Sequence, residues 1–97
     1  MTVDFERKDL MKALATLSIE KVLLKMGRPV LEKVSNTLQK EYKCYIPDCY
    51  DHPEYLENVI KSLYGNAHRT ILDEIKDELV EYLDDGGIRI LVKTITG

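Results

Sequence analysis

Cys44, Cys49, His52 and His68 are the residues whose chemistry could reach furthest in this chain. Thiolates and imidazoles together make a zinc ligand set, and a thiol beside an imidazole makes a nucleophile with its base. Their spacing permits a zinc site but does not announce one. Structural zinc sites use closely spaced ligand pairs, commonly with two residues between them. Here four residues separate the cysteines, two separate Cys49 from His52, and His68 falls on another element. The pair therefore reads as two reduced cysteines beside a loop, one of them buried. A Cys44–Cys49 disulfide would conflict with the reducing cytoplasm expected for this chain. His68 has no Ser or Cys beside it, and it precedes Ile71 and Leu72 by three and four residues. That position suits a histidine bordering a core better than a general base. Asp73, Glu74, Asp77 and Glu78 contain i,i+4 carboxylate pairs that could hold a cation, but they read as a solvated helix face. Neither a Gly-rich phosphate loop nor a Ser-centred elbow occurs. No catalytic, cofactor-binding or metal residue is assigned, and the chain reads as non-enzymatic.

The elements that would position these residues are helical. Residues 4–26 place Leu10, Leu14, Leu17 and Leu24 on one face and Met11, Ala15, Ile19, Val22 and Met26 on an adjoining one. That apolar arc is wider than a surface helix needs to cover one core. Either the helix is central in its own domain, or it packs on two sides, one of them intermolecular. Gly27 ends it, and Pro29 suits the first turn of a second helix reaching Tyr42, with Val30, Leu31, Val34, Leu38 and Tyr42 as its buried edge. The segment KCYIPDCYDH breaks the pattern, and Tyr42, Tyr45, Tyr50 and Tyr55 gather around it with rings over the core edge and hydroxyls in water. A third helix starts at Pro53 and carries Leu56, Val59, Ile60 and Leu63 at helical spacing. Gly65 should end it in a left-handed conformation, with Asn66 capping a fourth helix over Ala67–Leu83 that buries Ile71, Leu72, Ile75, Leu79 and Leu83. Asp84 and Asp85 then sit at the negative end of a helix, which is locally unfavourable. After Gly86 and Gly87, Ile88, Ile90 and Val92 alternate with Arg89, Leu91 and Lys93, so residues 88–96 read as an extended arm or strand. A lone strand leaves its backbone unpaired. Pairing with the same segment of a second molecule or packing over the helices accounts for it better than disorder.

The expected architecture is thus all-α: one domain over residues 1–97 with about four amphipathic helices and a short C-terminal extended segment. Ninety-seven residues suffice for one core, and 44% hydrophobic with 32% charged residues argue against global disorder. No apolar run approaches the roughly 20 residues of a membrane span, and the charged start does not resemble a signal peptide, so a cytoplasmic location is expected. Residues 1–44 hold nine Lys/Arg against six Asp/Glu, whereas residues 45–97 hold five against eleven. Solvated helix faces explain this asymmetry; so would attraction between opposite ends of two molecules, or of this chain and a partner.

The segment DCYDHPEYLENVIKSLYGNAHRTILDEIKDEL resembles the Nitrosopumilus output domains, small archaeal helical domains that overlap an archaeal family of unknown function. The resemblance rests on Tyr64-Gly65, on the aliphatic face Ile71, Leu72, Ile75 and Leu79, and on Pro53 and Leu56 before them. It extends over about Leu24 to Leu83. It implies a non-enzymatic module of the kind sometimes attached to signalling or DNA-binding domains, acting in archaeal signal transduction or transcription control.

The function expected from these observations is protein interaction, by self-association as a homodimer or as a signal-output module. The candidate interface is the second face of the first helix, Met11, Ile19 and Met26, together with Ile88, Ile90 and Val92. Ile19→Glu is then expected to break assembly while leaving helicity. Two rivals follow from other residues. A DNA-associated regulator would use Lys21, Lys25, Arg28, Lys33 and Lys40 on phosphates, although the absence of a basic stripe speaks against nucleic acid. A small-ligand or metal sensor would be built around Tyr45, Cys49, Tyr50 and His52.

Overall fold

Between Val3 and Met26 the chain has no Gly or Pro, and it forms one helix, α1 (Val3–Met26). The computed structural model describes the backbone of residues 3–96 and the side chains of residues 7–96. Gly27 stops α1 with φ 131° and ψ 146°, a region open essentially to glycine alone. Its carbonyl accepts the N–H of Val30 at 3.0 Å, so the stop of α1 is also the start of α2 (Arg28–Tyr42), with Pro29 in its first turn. Lys43 ends α2 in a left-handed conformation (φ 56°), and its N–H reaches the carbonyl of Gln39.

The irregular segment that follows is more ordered than its composition suggests. Residues Ile46–Tyr50 form a 3-10 turn, opened by the Asp48 carboxylate accepting the Tyr45 N–H at 2.8 Å. Pro53 then leads α3 (Pro53–Tyr64). Gly65 ends α3 as expected, but with φ 51° and ψ −118° it lies outside the left-handed helical region expected of it. Asn66 does not cap α4 (His68–Leu79), which has no side-chain cap; Asn66 lies in the short 3-10 turn Gly65–Ala67, whose Gly65 carbonyl lies 2.6 Å from His68 Nδ1. The fourth helix also stops earlier than its apolar pattern implies, relaxing into a 3-10 turn over Val80–Tyr82.

The C-terminal segment corrects the sequence reading. Residues 88–96 are neither an arm nor a strand but most of a fifth helix, α5 (Gly86–Thr96). Two periods coexist in IRILVKTIT. Ile88, Ile90 and Val92 suggest a strand, but Ile88, Leu91, Val92 and Ile95 recur at i, i+3, i+4 and i+7, and these four are the buried ones. Burying that face outweighs the modest helix penalty of β-branched residues, a few tenths of a kcal/mol each on a scale of about 0.7.

The fold is all-α, and no strand occurs among the described residues. Its core takes Ile19 and Leu23 from α1, Val34 and Leu38 from α2, Leu56 and Ile60 from α3, Ile71, Leu72, Ile75 and Leu79 from α4, and Ile88 and Leu91 from α5. Each such side chain contributes about 1.5–3 kcal/mol of hydrophobic stabilisation. α4 runs antiparallel to α1: Lys25 pairs with Glu74, Lys21 with Glu78, and Arg7 with Asp84 just beyond α4. α1 is therefore the long spine of the molecule, about 36 Å at 1.5 Å per residue, against a longest dimension of 40 Å.

Candidate functional site

The two apolar faces of α1 have largely opposite fates, with Leu14 the exception on the outer face, half-buried against the core. Met11, Ala15, Ile19 and Val22 are buried against the other helices, and Leu23 joins them. Leu10, Leu17 and Leu24 stay in water at 56%, 61% and 47% exposure. Met11 and Ile19, expected at an interface, are thus core of a single chain, and Ile19→Glu would bury a charge rather than cut an assembly. Met26 is exposed at the end of α1. On α5, Ile88 and Val92 are buried while Ile90 is exposed, because an α-helix turns Ile90 away from the face that a strand would have shared among all three. Four of the six residues of the expected interface are therefore interior, and only Met26 and Ile90 are exposed.

The exposed leucines are spaced by seven residues, so they form one nearly straight stripe along α1. Ala13, also exposed, fills a gap in it. At Leu17 the stripe opens into a shallow groove of about 500 Å³, lined by Asp9, Lys12, Ala13, Thr16 and Leu17 of α1 and by Pro47 of the 3-10 turn. Tyr45, two residues before Pro47, is 65% exposed. An apolar stripe on the side of a helix facing away from its own core has the form of a surface that receives another helix. The seven-residue spacing was visible in the sequence; what hid its meaning was the adjoining apolar face, which could equally have pointed outward.

A second constellation lies at the start of α5. Asp85 is buried, and its Oδ2 accepts the Tyr50 hydroxyl at 2.7 Å and the Ile88 N–H at 3.0 Å. Its Oδ1 lies 3.4 Å from Arg7 Nε. Asp85 is thus the N-cap of α5, which resolves the unfavourable reading of Asp84 and Asp85 at the end of the preceding helix: Asp85 opens the next one. Burial works to raise the Asp85 pKa, but the hydroxyl, the backbone N–H and the Arg7 guanidinium hold it below the usual carboxylate range. Burial, reinforced by the Asp85 carboxylate, pushes the Tyr50 phenol up to about 12. The Tyr50 hydroxyl is therefore not in water, contrary to the sequence reading. This clasp ties α1, the 3-10 turn and α5 together, and it is structural in character.

The remaining chemical candidates do not converge. Cys49 is fully buried, and burial pushes its thiol up to about 12, far from the thiolate that nucleophilic attack or metal binding needs. Cys44 is raised in the same direction by burial and then by Asp48. Both thiols are free, and both are buried where the sequence reading expected one. His52 is exposed and stacks on Tyr55 with ring centroids 4.7 Å apart, and Tyr55 in turn stacks on Tyr42 at 4.2 Å. Of the proposed sensor residues, Tyr45 is thus outside, Cys49 inside, Tyr50 in the clasp and His52 in the stack. Among the described residues no three His, Cys, Asp or Glu side chains are grouped to hold a metal. Lys21 and Lys25, two of the five cations a DNA contact would use, are held by Glu78 and Glu74. No helix among the described residues is long and apolar enough to cross a membrane.

Comparison with known protein families, curated proteins and solved structures finds no significant match to this chain.

Proposed function

We propose that the chain is a non-enzymatic helical protein-interaction module that receives a partner helix along the outer face of α1. The observation that carries this reading is the exposed Leu10–Leu17–Leu24 stripe, set opposite the face of α1 that builds the core. Three leucines in register, each about half exposed, keep apolar surface in water at a hydrophobic cost that a partner would relieve. The shallow groove beside Leu17 offers the recess into which a partner side chain would insert. The clasp and the buried thiols serve the fold rather than a reaction. A signal-output role of the kind the resemblance implies requires no more than this: a stable domain with one docking face.

Two measurements on the full chain test the reading. Light scattering after gel filtration reports self-association, and anisotropy of a labelled helical peptide with leucines at heptad positions and glutamine elsewhere reports docking. Either a concentration-dependent mass or saturable peptide binding is expected, and Leu17→Glu should abolish it while the circular dichroism stays that of the parent. A monomer that ignores the peptide, or one whose binding survives Leu17→Glu, would refute it.

A further inference from the structure

We propose that the occupant of the α1 face is a basic amphipathic helix of another protein, an inference that rests on the docking reading above. Its ground is the state of the charges that rim the stripe. Every cation of α1 with a described side chain is held by an acid: Arg7 by Asp84, Lys8 and Lys12 by Asp51, Lys21 by Glu78, and Lys25 by Glu74. The acids along the same rim are in a different state. Asp9 and Glu20 flank the leucines on the edge of α1 away from α4, and neither meets a cation among the described residues. On the other edge, Asp77 and Glu81 each follow by three residues the acids that bind Lys25 and Lys21, and both are exposed and likewise unmatched among the described residues. At Asp9, Glu20, Asp77 and Glu81 the uncommitted charge beside the apolar stripe is thus negative; Arg28, exposed just past the end of α1, is a cation likewise unmatched among the described residues. A partner helix with leucine-like residues at heptad spacing and Lys or Arg beside them would satisfy the stripe and both rims at once.

The same charges argue against a second copy of this chain. Glu20 lies three residues beyond Leu17, at the position that completes a heptad seam. A parallel pairing of α1 with itself would set Glu20 against its own counterpart. An antiparallel pairing would bring the Asp9–Glu20 edge against the same edge of the copy and press Glu20 among leucines. Both bury an acid without a cation, which is costly. A basic helix turns that liability into recognition.

The test uses the full chain and three labelled peptides of about three heptads each. One carries leucines on one face and lysines elsewhere, the second has glutamate at every lysine, and the third keeps the lysines but scatters the leucines. The lysine probe is expected to bind at least about tenfold tighter than either of the others, with affinity falling as salt is raised toward ~0.2 M. Leu17→Glu should abolish that binding. Combined Asp9→Lys and Glu20→Lys should remove the preference for lysine or reverse it, with helicity unchanged. Equal binding of the lysine and glutamate probes overturns the basic partner and leaves the docking face standing. Equal binding of the scattered probe reduces the effect to bulk charge and also overturns it. A doubled mass lost in Leu17→Glu, with no probe bound, makes the occupant a second copy. A monomer that binds no probe removes both proposals together.

Discussion

Tyr50→Phe removes a single oxygen atom and tests the clasp that anchors α5. In the parent, the hydroxyl donates to Asp85 Oδ2 at 2.7 Å, with both residues buried. A hydrogen bond to a charged group contributes about 1.5–3 kcal/mol, and Asp85 keeps the Ile88 N–H and Arg7 after the change, so the loss should stay within that range. For a domain of this size the melting temperature would fall by roughly 6–24 °C. Asp85→Ala removes the cap, about 1 kcal/mol, and strands the buried hydroxyl, about 1–3 kcal/mol more. The double variant should then lose little beyond Asp85→Ala alone, a coupling of about 1 kcal/mol or more. The pH dependence has a fixed sign. Tyr50 binds its proton more tightly in the fold than in the unfolded chain, so its contribution is whole below the usual phenol pKa of about 10 and is lost as pH rises through about 12. The gap between parent and Tyr50→Phe must narrow across that window. Asp85 is shifted the other way: its contribution is present above the ordinary carboxylate pKa, about 3.9, and is lost as pH falls through the depressed folded value. Urea melts of the three variants and the parent, at neutral pH and on both limbs, measure all of this. Agreement of Tyr50→Phe with the parent to within about 0.5 kcal/mol, or additive losses in the double variant, would refute the clasp.

The adjacent glycines should behave differently. A Cβ at Gly87 would run into the Tyr50 ring and hydroxyl, so Gly87→Ala is expected to cost about 1–3 kcal/mol, whereas Gly86→Ala meets nothing and should leave thermal melts unchanged or slightly raised. In α5, Ile88→Ala should cost about 2–5 kcal/mol in urea unfolding and Ile90→Ala less than about 0.5, because only Ile88 is buried; equal losses would restore the extended reading of the segment. In native buffer, Cys49 should resist a thiol reagent and react only on unfolding, since its thiol is both enclosed and held protonated; prompt labelling of both cysteines would contradict its placement.

The all-α class, the helix stops at Gly27 and Gly65 and the start at Pro53 were determined by the sequence itself. They depend on local properties: apolar period, glycine's access to positive φ, and proline's missing N–H. Three things were decided only by tertiary structure. The first is which apolar face of α1 turns inward. Leu10–Leu24 and Met11–Val22 are both long enough and apolar enough, and the choice depends on the shape of what packs against them, where Ala15 and Ile19 fit and Leu10, Leu17 and Leu24 are left outside. The second is the state of residues 88–96, whose two periods are equally legible; burial of Ile88, Leu91, Val92 and Ile95 together selects the helix. The third is the role of Asp85. Its partners, Tyr50 and Arg7, are 35 and 78 positions away, so no local rule could link them to the cap of a helix that local propensity did not announce. The candidate docking face therefore became legible only with the fold in place, because a surface is defined by what the core does not use.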